Sequence, residues 1–172
     1  MRKLVHVHNC LFGQFVRSSD FLVPTLARLA FAFVLLVYFW NSATTKIDGF
    51  NFSPTAGAFG QIFPKDAEAA SYDITKLTFI QETIIIVGTL AEFILPALIL
   101  IGLFTRLAAV GTIGFILVQT FVDVSGHGVT LGTYFDHSIG LIDERTMWLF
   151  LMLVLLFKGA GPVSLDRTIK LV

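Results

Sequence analysis

The chain has 172 residues, 55% of them hydrophobic and 14% charged, and its formal net charge is zero. An ordinary soluble domain is about 45–50% apolar, so a chain with a mean hydropathy of +0.81 is suited over most of its length to lipid rather than water. The absence of net positive charge or of a basic patch interleaved with aromatics excludes a phosphate-tracking nucleic-acid surface, and the single cysteine, Cys10, supplies neither an intrachain disulfide nor a dithiol pair.

Residues 1–20 read as a cytoplasmic arm carrying Arg2, Lys3 and Arg17. Its His6 and His8 read as solvated, and no metal site is assigned. Residues 21–46 form the first expected membrane span. Its apolar run, Phe21 to Trp40, is longer than the roughly 7–15 residues of a signal-peptide core and is followed by no small-residue cleavage pattern, so it is expected to stay in the mature protein. The run holds one charge, Arg28, and the helix is expected to continue to Lys46. Residues 47–81 form a long outer connection containing Pro54, Pro64, Phe52, Phe59, Ile62, Phe63 and Tyr72, which is too aromatic for a free linker. Two readings stand open: these side chains rest on the end of the bundle, or they form a lid over a cavity.

The second span, 82–104, has Glu82 at its start and Glu92 near the middle of an otherwise almost wholly apolar run. Only Thr105 and Arg106 separate it from the third span, 107–124, so these two helices make a tight antiparallel hairpin. Gln119, Asp123 and His127 recur every four residues and share one face if the helix continues. That stripe reads either as a solvated helix end or as a proton route and head-group contact. After a second outer loop, 125–137, comes the fourth span, 138–157. Met147 to Phe157 alone covers only about 16 Å, so this span must draw in upstream residues and carry Asp143, Glu144 and Arg145 in its outer turns. In the cytoplasmic tail, 158–172, the Lys158-Gly-Ala-Gly-Pro162 stretch stops the helix, and Ser164 is placed to cap a short surface helix.

The fold expected is therefore all-α, a transmembrane four-helix bundle. Arg2, Lys3, Arg17, Arg106, Lys158, Arg167 and Lys170 put both termini in the cytoplasm and the long connection between helices 1 and 2 outside.

A carboxylate at the depth of Glu92 needs a partner and marks a functional-site candidate. Arg28 is the partner most readily proposed. It lies about 10 Å from the inner end of its helix and Glu92 about 18 Å from the inner end of its own, a gap that a long guanidinium partly closes. One reading is a register-setting pair, or an Arg28 that snorkels to the headgroups. The other is a head-group-binding site in a dry cavity with Glu92 as proton acceptor. A second polar layer, Lys46, Glu82, Asp143, Glu144 and Arg145, is placed to share one outer mouth. The candidate ligand-binding residues are thus Arg28, Glu92, Lys46 and Glu82, with Gln119, Asp123, Glu144 and Arg145. No flavin, haem, iron–sulfur or dithiol motif is present, so no intrinsic cofactor is expected and electrons would come from a partner.

Arg28-Leu29, the Ser42-Ala-Thr-Thr-Lys46-Ile47 end of helix 1, Ala91-Glu92 followed by Leu100-Ile-Gly-Leu-Phe-Thr-Arg106-Leu-Ala-Ala109, and Gly159-Ala-Gly-Pro-Val-Ser-Leu-Asp166 together resemble the DoxX family. The likeness runs from about Val23 to Thr168. One departure is Ala43, where the family's glycine is expected three residues before Lys46. The resemblance implies a four-helix protein of the bacterial cytoplasmic membrane, with relatives associated with quinone-linked sulfur oxidation or redox-stress complexes. The leading expectation is a redox-associated membrane subunit that binds a quinone or similar lipophilic ligand beside its intramembrane charges and works with a soluble or membrane redox partner. The alternatives are a non-enzymatic scaffold or chaperone that recruits soluble redox enzymes, and a small transporter component. Four helices without a visible inverted repeat would need homo-oligomerisation for transport.

Overall fold

The computed structural model describes residues 1–49, 52–132 and 142–171, with backbone alone at 142 and 143. The chain is mostly helical, and three of its helices are long and apolar enough to cross a membrane: Arg2–Thr44, Phe79–Ile101 and Thr105–Ser125.

The first of these comprises α1 (Arg2–Phe31), a π-helical turn (Ala32–Leu36) and α2 (Val37–Thr44) in continuous sequence. Its buried residues Phe31, Leu35, Phe39 and Ala43 recur in steps of four. At about 100° per residue each such step overruns a full turn by about 40°. The wider π turn absorbs that drift and keeps the seam facing its neighbours. Residues 2–20, expected as an arm apart from the span, belong to the same helix, which runs on through Pro24. His6 and His8 stand two apart on it and so do not face each other.

The 47–78 connection is folded rather than loose. β1 (Ile47–Asp48) pairs antiparallel with β2 (Ser53–Pro54). α3 (Ala56–Ile62) begins at Thr55, whose hydroxyl accepts the Ala58 N–H, and α4 (Pro64–Ala69) follows. Phe59, Ala67 and Ala70 bury a small core of their own, joined by Phe63 and Leu77. This unit rests on the ends of the long helices: α3 packs on the next long helix, and the His127 Nε2 donates to the Gln61 carbonyl at 2.9 Å.

That next helix, α5 (Phe79–Ile101), starts at a capping box in which the Thr78 and Gln81 side chains each bond the other's backbone, and it ends at Gly102, with φ of 68°. Its buried residues are Ile85, Thr89, Glu92, Pro96 and Ile99. Steps of four and three give a mean period of about 3.5, the rhythm of helices that pack side by side over many turns. The hairpin predicted after it is present, and α6 (Thr105–Ser125) runs back along α5. α7 (Ile142–Lys158) buries Arg145, Trp148, Met152 and Leu155 in the same rhythm; residues 138–141, expected to lengthen it, lie outside the described residues. α8 (Leu165–Thr168) is capped by Ser164 as the sequence suggested.

α7 packs against α1 and α6, and α5 against α2 and α6, around a core that includes Phe31, Leu35, Phe39, Ile116, Trp148 and Met152. Apolar side chains also cover the outside, among them Phe33, Val87, Leu117 and Phe121. An apolar exterior around polar residues held inside is the arrangement that lipid selects.

Candidate functional site

Glu92 lies in the buried seam of α5, only 3% exposed, and Lys46, just beyond α2, is 5% exposed. The Lys46 ammonium donates to Glu92 Oε1 at 2.5 Å and to the Ser42 hydroxyl at 2.9 Å, and that hydroxyl in turn lies 3.4 Å from Oε1. Lys46 reaches Ser42 because side chains on a helix lean toward its N-terminus over the residue four before. Glu92 Oε2 is buried and has no hydrogen-bond partner. Pro96, four residues on, has no N–H, so the main-chain carbonyl of Glu92 also lacks its usual helical donor.

Arg28 is not the partner of Glu92, which corrects the expectation from sequence. Its guanidinium donates to the carbonyls of Ile99 at 2.9 Å, Leu100 at 2.5 Å, Ala160 at 3.1 Å and Val163 at 2.5 Å. The last carbonyls of a helix have no intrahelical donors and carry partial negative charge. The end of α5 and the tail together thus hold Arg28, and reaching a deeper carboxylate would require it to leave four acceptors.

Two further polar side chains from α6 face the same interior. Gln119 donates to the Tyr38 hydroxyl at 2.8 Å, while its Oε1 is buried without a partner. Arg145, buried on α7, donates to the Thr120 hydroxyl at 2.7 Å and forms a tight ion pair with Asp123. Between α5, α6 and the α3 end of the connection lies a cavity of about 90 Å³, into which Lys46, Glu92, Gln119 and Asp123 present polar groups and Ile84, Phe115, Val118 and Val122 present apolar ones. Gln61 and Ile62 of α3 line it from the connection side, so the connection both rests on the helix ends and borders the cavity. Glu92 also lines a void of about 10 Å³ with Phe39, Pro96 and Thr112, at the lower limit for one water.

Of the residues singled out from sequence, Lys46, Glu92, Gln119 and Asp123 therefore meet at one cavity, with Arg145 bound to Asp123 behind it. Glu82 and Glu144 do not join them: both are exposed in the first turns of their helices, and Glu82 precedes Glu92 by about 15 Å of helix. The side chain of Asp143 lies outside the described residues. Tyr38 and Ser42 were missed, although with Lys46 they recur every four residues and so share one face. Among the described residues no three histidine, cysteine, aspartate or glutamate side chains group to hold a metal.

At the opposite end, Asp166 of the tail accepts the backbone N–H of Phe104 at 2.7 Å and of Thr105 at 2.9 Å, and its own N–H bonds Gly102 O at 2.8 Å. The tail is thereby fastened to the α5–α6 turn. A Cβ on Gly102 would come within 2.6 Å of Ser164 Cβ and 2.8 Å of Arg28 Cζ, on a backbone already left-handed, so only glycine fits there. These contacts account for the linked Gly-x-x-Thr-Arg and Gly-Pro-x-Ser-Leu-Asp sequences.

The sequence profile of the DoxX family matches residues 23–125, a stretch that contains Glu92, Lys46 and the α5–α6 hairpin. Among curated proteins and solved structures none matches the chain.

Proposed function

Because the chain belongs to the DoxX family and is a multi-pass membrane protein, we propose that it is a redox-associated subunit of the bacterial cytoplasmic membrane that holds a quinone or similar lipophilic ligand beside the Lys46–Glu92 pair. In this reading the helices form a four-span bundle with both termini cytoplasmic and the 47–78 connection outside, in keeping with the positive-inside distribution of Lys and Arg. The observation that carries it is Glu92 Oε2, a buried acceptor without a donor, beside a cavity in which Ile84, Phe115, Val118 and Val122 stand next to a few polar groups. Unpaired buried oxygens are costly, and a hydroxyl of the ligand's reduced, quinol form would satisfy this one.

The cavity of about 90 Å³ is smaller than the roughly 300–1,000 Å³ of a pocket that encloses a whole ligand. A polar head group therefore enters it while the tail remains between α5 and α6, where the exposed Ile84 and Val118 meet lipid. Quinone reduction takes up protons as well as electrons. Glu92 is the proton acceptor and relay in this scheme, Lys46 holds its carboxylate, and the electrons come from a redox partner.

The test uses two variants, Glu92→Gln and the double Lys46→Met/Glu92→Gln, in which no buried ammonium is left unpaired. Lipid extracts of the purified wild type should contain a quinone by mass spectrometry, and both variants should lose it together with quinone-coupled turnover, the double variant while keeping wild-type stability. A double variant that retains the quinone and full turnover removes Glu92 from the mechanism.

The closed Ser42–Lys46–Glu92 triangle favours a second reading, a scaffold that recruits soluble redox enzymes and uses the pair only to fix helix register. Co-purification of a partner enzyme that keeps its activity with the double variant, and an extract free of quinone, would select it.

A further inference from the structure

A cavity larger than the one at Glu92, about 350 Å³, lies at the opposite end of the molecule between the α5–α6 turn, the end of α7 and the tail. Arg106, Lys158 and Arg167 line it, and so do Asp20 and Asp166. The two carboxylates are already engaged. Asp166 spends both oxygens on the N–H groups of Phe104 and Thr105, and Asp20 accepts from Lys158 at 2.8 Å. Arg106 and Arg167 have no carboxylate within ion-pairing distance among the described residues. The Arg106 guanidinium lies beside Gly159, whose φ is 73°; a Cβ there would be in ordinary contact with it, 3.5 Å from Nε.

The rim of this cavity is apolar. Phe104, Leu107 and Leu171 line it and are exposed, Leu107 to 70%, and Leu107 continues into the apolar outer face of α6 through Val110. Two exposed guanidiniums without carboxylate partners, and exposed apolar side chains that run onto a membrane helix, describe an amphiphile with a single anionic head. Guanidinium is the side chain best matched to phosphate oxygens, because its planar fork donates in pairs, and basic pockets at helix ends near the membrane surface are where anionic lipid head groups collect.

We propose that this cavity binds the phosphodiester head group of an anionic membrane phospholipid, with Arg106 and Arg167 as its ligands and one acyl chain laid along Phe104 and Leu107. The bound lipid touches α6, the end of α7 and the tail together. The inference is independent of the quinone reading, since it concerns the other end of the molecule and none of the same residues.

The full-length protein, delipidated in detergent, should bind phosphatidylglycerol in native mass spectrometry and gain thermal stability from it, with phosphatidylcholine giving neither effect. Arg106→Gln/Arg167→Gln should weaken phosphatidylglycerol binding roughly 25-fold, about fivefold for each cation, while the exposed Lys65→Gln leaves it unchanged. Equal binding of the two lipids, or wild-type affinity in the double variant, overturns the proposal. Displacement of the lipid by millimolar inorganic phosphate, with the same gain in stability from phosphate alone, overturns it in favour of a soluble phosphate site. Should the double variant fail to fold, Arg167→Gln alone carries the test from an exposed position outside the long helices: a fivefold loss supports the lipid site and no loss refutes it.

Discussion

Lys46 and Glu92, 46 positions apart in the chain, are joined by a 2.5 Å contact between ammonium and carboxylate, and both side chains are almost wholly buried. Each charge is tolerable in that interior because the other is present. Removing one partner of such a pair leaves an uncompensated buried charge and typically costs about 3–5 kcal/mol, whereas replacing both with apolar groups of similar size is often neutral. Glu92→Gln and Lys46→Met should each destabilise the protein strongly, and the double variant should recover most of the loss. A double-mutant cycle on denaturation in detergent should give a coupling of about 5 kcal/mol, close to the sum of the two single losses; additive losses would mean that the two charges do not depend on each other.

How much of this was legible in the sequence depends on the kind of relationship. The apolar runs around Phe31, Thr89 and Ile116 announce long helices because burial and hydrophobicity act along one chain segment at a time. The α5–α6 hairpin follows from Thr105 and Arg106 being the only residues between two such runs. The partner of Glu92 was a different matter. Arg28 and Lys46 lie on one helix about 27 Å apart, and which of them meets α5 at Glu92 depends on the tilt and stagger of two helices, which one chain does not encode locally. The four-residue spacing of Tyr38, Ser42 and Lys46 carried the missing signal, a polar face at one end of helix 1. Likewise the small core of Phe59, Ala67 and Ala70 makes the connection a folded unit through contacts that periodicity in so short a segment does not reveal.

The four carbonyls gathered by Arg28 come from the end of α5 and from the tail. A lysine at this position keeps the charge but loses the fork that serves both segments at once. Arg28→Lys should therefore destabilise by about 2 kcal/mol, less than the nominal sum for several charge-assisted bonds because the site is partly open to solvent. The loss should be local first. Hydrogen–deuterium exchange should speed up in residues 99–103 and 160–166 and stay unchanged around Glu92; uniform acceleration would contradict the role of Arg28 as a clamp at one end.

Asp166 supplies the N-terminus of α6 with the acceptor that no side chain of the α5–α6 turn provides. Phe104, the residue before α6, has φ of 48° and makes no side-chain cap, so the two carboxylate bonds from the tail stand in for a helix cap. Asp166→Ala should cost about 1–2 kcal/mol, within the range of lost capping residues, and Asp166→Asn should cost less because one acceptor oxygen remains. The fastening of the tail is the sharper readout: limited proteolysis after residue 160 should quicken in Asp166→Ala. Equal cleavage rates in the two proteins would show that the tail is held by other means.

The ion pair between Lys158 and Asp20 connects the end of α7 to α1 at 2.8 Å, and its dependence on pH has a definite sign. The hydrogen bond from Lys158, reinforced by its charge, holds the Asp20 carboxyl below its ordinary value of 3.8. A carboxyl lowered on folding is protonated more readily in the unfolded chain. The stabilisation is thus fully present above pH 3.8 and fades as pH falls through the lower, folded value; above pH 3.8, up to neutrality, the pair contributes no slope. Asp73, lowered chiefly by the Thr75 hydroxyl, acts in the same direction. Because Asp20 is 84% exposed, the effect is small and salt-sensitive. Lys158→Gln should bring the Asp20 carboxyl back up toward 3.8 in a carboxyl-resolved NMR titration, and molar salt should do so in the wild type. An Asp20 titration that stays where it was in Lys158→Gln would show that the pair does not form in solution.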